Sequence, residues 1–74
     1  MDYKYLDTQR ILRYLQQHKE GVTVDAILQY SGADKFRVYP ALFELEQEGR
    51  LEVLEREELG APTKVRLRKL RIEN

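Results

Sequence analysis

Seventy-four residues beginning at a methionine read as one domain and as a complete small protein. A chain this short buries only about 60% of the surface its unfolded form exposes, so its 42% apolar residues must be well placed to build a core. The absence of cysteine excludes a disulfide framework or thiolate metal site, no apolar run reaches signal-peptide or membrane-span length, and thirteen basic residues balance thirteen acidic ones, so a cytoplasmic protein without a membrane partner is expected.

Met1 to Leu6 sets Tyr3, Tyr5 and Leu6 among polar residues, a pattern open to a short strand, an extension of the first helix or a dimer contact. Asp7 is the expected N-cap of that helix, because its carboxylate can accept an otherwise orphaned backbone N–H. Ile11, Leu12 and Leu15 form the apolar stripe, Gln9, Arg10, Arg13, Gln16 and Gln17 face out, and Gly21 is expected to close the helix. Val22 is a brief extended residue, and Thr23 caps a second helix over Val24 to Tyr30 with Ala26, Ile27 and Tyr30 inward. Ser31-Gly32-Ala33 makes the turn.

The third helix is the strongest signal in the chain. Val38, Leu42 and Leu45 fall at i, i+4 and i+7, with Ala41 between them, so one stripe is built for burial. Gly49 ends the helix cheaply because it takes φ > 0 without a Cβ penalty. Pro40 is tolerated only near a helix start, which places the regular helix from Phe36–Val38 onward and Asp34 and Lys35 in a looser lead-in. Leu51, Val53 and Glu55 then alternate at strand period and are expected to pair with Val65, Leu67 and Lys69 through a turn over Glu57 to Pro62. Leu70 and Ile72 follow the hairpin and are candidates to fold back onto the core.

These last two elements resemble a known family. Tyr39-Pro40-Ala41-Leu42, then Leu45, Glu46 and Gly49, then Gly60, Pro62 and Lys64 are similar to the third helix and wing of winged helix-turn-helix proteins, most of all the PadR-type transcriptional regulators. The resemblance covers about half the chain. It implies an α+β winged helix-turn-helix fold of three helices and a small C-terminal antiparallel β-hairpin wing. It further implies a small cytoplasmic transcriptional regulator that reads double-stranded DNA with the third helix, about residues 36–48, and the wing. Lys35, Arg37, Tyr39, Phe43 and Gln47 would then lie near the major groove, with Glu44 able to accept from cytosine. Lys64, Arg66 and Arg68 would meet phosphates or the minor groove, and Ser31 a phosphate. The likeness weakens at the wing, where Ala61 and Thr63 flank Pro62 in place of the arginines common in the family.

Charge follows the same division. Residues 1–34 and 35–49 each sum to −1, residues 50–62 to −2, and residues 63–74 to +4, so the positive excess lies in the last strand and tail. A homodimer is expected if paired half-sites are read, with Tyr3, Tyr5, Leu6 and the tail from Leu70 as contacts.

The alternative is a winged-helix protein–protein interaction module without DNA binding. Stepping 100° per residue from Val38 puts Phe36, Pro40, Phe43 and Gln47 opposite the buried stripe, an apolar strip suited to a protein partner. Glu44 and Glu48 beside it carry the wrong sign for phosphate, and Glu52 and Arg56 are placed to take up wing charge in cross-strand ion pairs. Catalysis is not expected: His18 is the one histidine, there is no phosphate-binding glycine run, and no cofactor or metal is implied. His18 itself reads as a half-buried helix-end residue.

Overall fold

The computed structural model of the protein describes residues 2–68. Its elements follow in the order α1 (Tyr3–Gln17), β1 (Val22–Thr23), α2 (Val24–Tyr30), α3 (Lys35–Gln47), β2 (Leu51–Arg56) and β3 (Pro62–Leu67). The three helices pack with an antiparallel three-stranded sheet in the order β1-β3-β2, an α+β domain. No helix among the described residues is long and apolar enough to cross a membrane.

Helix α1 begins earlier than its sequence suggested. Asp2 is the N-cap, its carboxylate accepting the Tyr5 N–H at 3.1 Å, so Tyr3, Tyr5 and Leu6 belong to the helix rather than to a strand. Asp7 is therefore not a cap but an interior residue, and it is 5% exposed. Two aspartates five residues apart can each start a helix, and local sequence does not separate them. The helix also stops at Gln17, with His18 as its C-cap and Gly21 beyond it. His18 is half-buried and its ring lies 4.5 Å from that of Tyr14.

Val22 and Thr23 do more than link two helices. Both pair with β3, Val22 opposite Val65 and Thr23 opposite Lys64, and Thr23 also caps α2 by accepting the Ala26 N–H at 3.2 Å. Within α2, Val24 and Ile27 are buried and Ala26 is half-buried, whereas Tyr30, expected inward, is 70% exposed. Tyr30 is the last residue of this seven-residue helix and lies about 120° around its axis from the buried Val24.

Helix α3 starts at Lys35, with the Asp34 carboxylate accepting the Phe36 N–H at 2.9 Å. Pro40 is thus its sixth residue, not part of the first turn. The proline lacks the N–H that would bond to the Phe36 carbonyl, and the buried stripe of Val38, Ala41, Leu42 and Leu45 carries the helix through this fault. The exit is a Schellman motif: Arg50 N–H donates to the Leu45 carbonyl at 2.9 Å and Gly49 N–H to the Glu46 carbonyl at 3.0 Å.

In the hairpin, Leu51 faces Leu67, Glu52 faces Arg66 and Val53 faces Val65; the register slips by one residue where Glu55 faces Lys64 and recovers at Arg56 opposite Pro62. Pro62 is accordingly a buried strand residue rather than part of the turn. Lys69, Leu70 and Ile72 lie outside the described residues. Ile11, Leu15, Ile27, Leu42, Leu45 and Val65 join the three helices to the inner face of the sheet, and each Leu or Ile among them is worth about 2–5 kcal/mol against alanine.

Candidate functional site

The outer face of α3 is open along its length. Phe36 is 92% and Phe43 44% exposed, and Pro40 and Gln47 are exposed between and beyond them. Phe36 does not fold under the preceding turn. Lys35 and Arg37 stand at the N-terminal end of this face, both exposed. Tyr39 is half-buried, packed against the core with its ring 6.5 Å from that of Phe43.

The glutamates of α3 and of its C-cap each have a cation nearby, from another segment for Glu44 and Glu46. Lys4 of α1 donates to Glu44 at 2.8 Å, Arg56 of β2 donates to Glu46, and Arg50 lies 3.7 Å from Glu48. The Glu44 hydrogen bond and charge raise the Lys4 pKa above its ordinary value. Lys35 and Arg37, by contrast, have no carboxylate within ion-pair distance among the described residues. The wrong-signed charges that the sequence sets on α3 are thus largely answered from outside it, leaving its N-terminal turn net positive.

That turn is held by a contact the sequence analysis missed. The Asp7 carboxylate accepts the Asp34 N–H at 3.2 Å and lies 3.7 Å from the Arg10 guanidinium. Arg10 also donates to the Gly32 carbonyl at 3.3 Å, and the Ser31 hydroxyl accepts the Ala33 N–H at 3.2 Å. The result is a shallow hollow of about 420 Å³ whose rim includes Tyr3, Arg10, Gly32 and Arg37. Asp7 and Arg10 at i, i+3 were the available signal, but nothing local marks that pair as buried against α3.

Lys64 and Arg66 of β3, and Arg68 just beyond it, do not join this end of α3. Arg66 pairs with Glu52 directly across the hairpin at 2.8 Å, the cross-strand use of charge weighed above. Arg56 does not share in it, bonding instead to Glu46 and the Gly60 carbonyl. Arg66 and Arg68 line a cleft with Gln16 and Lys19 at the C-terminal end of α1. Nine residues of α1 separate Gln16 from Asp7, about 14 Å of helix. Lys64, nearer the turn and opposite Glu55, is half-buried and has no ion pair among the described residues.

No protein-family model, curated protein or solved structure matches the chain. What the surface can do follows from its own chemistry. An exposed helix face with cations at its N-terminal end suits a polyanion, and the same face with two phenylalanines suits an apolar partner.

Proposed function

We propose that the protein is a winged helix-turn-helix DNA-binding protein, a small transcriptional regulator that sets α3 in the major groove. The observation that carries this reading is the charge arrangement on α3 and its C-cap: Glu44, Glu46 and Glu48 are each answered by a cation, while Lys35 and Arg37 have no carboxylate partner among the described residues. Phosphates attract such unpaired cations, and binding releases the counterions condensed on the duplex. Support also comes from the element order, with β1 joining the hairpin at β3, and from the likeness of Tyr39 to Lys64 to the PadR-type regulators.

Within this reading Arg37 and Gln47 face base edges, Lys35 meets the backbone, and Phe36 and Phe43 contact thymine methyls. Tyr39 supports Phe43 from its half-buried position. Lys64 reaches the flanking phosphates from the hairpin. Arg66 and Arg68 contribute less than their sequence positions suggest, one being paired and both lying toward the far end of α1.

The test is titration of the isotope-labelled protein with a random-sequence duplex at low salt, followed by NMR. Shifts at Lys35, Arg37, Phe43, Gln47 and Lys64 that fade as salt is raised support DNA binding. An unchanged spectrum at low salt overturns it.

The exposure of Phe36 favours a second reading, in which Phe36, Pro40 and Phe43 dock a protein partner and DNA plays no part. Such a contact would respond little to salt and would be lost in Phe43→Ala.

A further inference from the structure

The turn joining β2 to β3 is unusual for a surface turn because it is both acidic and apolar at its tip. Leu59 is 95% exposed, and Glu55, Glu57 and Glu58 around it are exposed as well. The turn is nevertheless well held. Gly60 N–H donates to the Glu57 carbonyl and Glu57 N–H to the Ala61 carbonyl, each at 2.9 Å. The Arg56 guanidinium donates to the Gly60 carbonyl at 2.9 Å while also engaging Glu46. A leucine presented on a pre-ordered turn loses little conformational freedom on binding.

At the opposite end of the same hairpin lies a cleft of about 620 Å³ lined by Gln16, Lys19, Glu52, Arg66, Leu67 and Arg68. Its charge is the reverse of the tip's. Glu52 is occupied by Arg66, which among the described residues leaves Lys19 and Arg68 to set the sign, and the half-buried Leu67 supplies apolar surface.

We propose that these two features bind each other between two copies of the chain. The Leu59 side chain of one copy enters the cleft beside Leu67 of the second, and Glu57 and Glu58 meet Lys19 and Arg68. Tip and cleft sit at opposite ends of a hairpin whose six-residue strands span about 17 Å. Two hairpins laid antiparallel about a two-fold axis therefore bring each tip to the other's cleft, so the contact is made twice and closes. The cleft lies beside the end of β3, where β1 pairs only with Lys64 and Val65 and, among the described residues, leaves Arg66 to Arg68 without a strand on that side. The pairing does not depend on DNA, and it uses cations away from α3, Lys19 after α1 and Arg68 after β3.

Sedimentation velocity of the protein alone, at low salt over a range of concentrations, tests it. The expected result is a species of twice the monomer mass that dissociates as salt is raised. Leu59→Asp and Lys19→Glu should each raise its dissociation constant at least tenfold. Both positions are exposed, so amide spectra should show the fold retained. An equimolar mixture of Lys19→Glu with Glu58→Lys should restore the pair, because each tip then meets a cleft of opposite charge. A monomer at every concentration, an open series of larger masses, a dimer untouched by both single substitutions, or a mixture that fails to recover would each overturn the proposal.

Discussion

The carboxylate of Asp7, buried in the middle of α1, accepts the backbone N–H of Asp34, the residue that caps α3. Asp34 in turn uses its own carboxylate on the Phe36 N–H. One helix thus holds the N-cap of another, and the cations proposed to meet DNA stand on the turn so held. Asp7→Ala should destabilise the domain by about 1–3 kcal/mol, since the Asp34 N–H and the Arg10 guanidinium both lose an acceptor. Asp7→Asn keeps an acceptor and should cost less than half as much. Urea unfolding of the two variants gives the comparison, and equal stability of Asp7→Ala and wild type would show the tie to be idle.

Pro40 occupies an exposed interior position of α3. Pro40→Ala restores a backbone donor for the Phe36 carbonyl and removes the ring from the preceding turn. Proline costs about 3 kcal/mol relative to alanine in a helix interior, partly offset by the stiffer unfolded chain. A net gain of about 2 kcal/mol in thermal or urea unfolding is expected. A loss would mean that the proline shapes α3 in a way the domain depends on.

Gly21 sits at φ +116, and a Cβ there would lie 2.8 Å from Leu54 Cδ1 and 3.4 Å from the Val65 carbonyl oxygen. Gly21→Ala should therefore destabilise by about 2–3 kcal/mol, combining backbone strain with crowding. Leu54→Ala in the same chain removes only the crowding against the leucine tip. The double variant should lose less stability than the two single losses added together, a non-additivity readable from a double-mutant cycle.

Lys35→Gln and Arg37→Gln should each lower the slope of log affinity against log salt by about 0.9, one phosphate per cation. Arg66→Gln should leave the slope near its original value, because Glu52 already holds that guanidinium. Fluorescence anisotropy with a random-sequence duplex reads all three. An Arg66→Gln effect equal to that of Arg37→Gln would put the outer face of the hairpin on DNA and displace the assignment made above.

Glu44 raises the Lys4 pKa, so the pair favours the folded state fully below the ordinary lysine pKa and ceases to do so as pH rises through the raised value. Melting temperatures taken from neutral to strongly alkaline pH should fall more steeply for wild type than for Glu44→Gln in that alkaline window. Both side chains are well exposed, so the difference should be small and should shrink in high salt. Identical slopes would show that the pair adds nothing to stability.

How much was legible in the sequence depended on whether the signal was local. The stripes Ile11–Leu12–Leu15 and Val38–Ala41–Leu42–Leu45, the Thr23 cap and the Gly49 exit all lie within a few residues of what they determine, and all are present as expected. So are three helices followed by an antiparallel hairpin. The alternation in Leu51–Val53 and Val65–Leu67 foretold strands and an inner face, but not their register or the slip at Glu55. Local sequence also misplaced Asp7, Pro40, Tyr30 and Pro62, because each residue type is compatible with more than one position in its element.

What tertiary structure alone decided is which charges remain available and which strands meet. Lys4 reaches Glu44 forty residues away, Arg56 crosses from the hairpin to Glu46, and two residues ahead of α2 join β3 as a third strand. None of these pairings has a sequence period, because ion pairs and strand partners depend on where whole elements pack. Periodicity and caps are set by backbone geometry over one or two turns and can be read from residues in order. The face that α3 offers to a partner is set by α1 and the hairpin, and only their packing determines it.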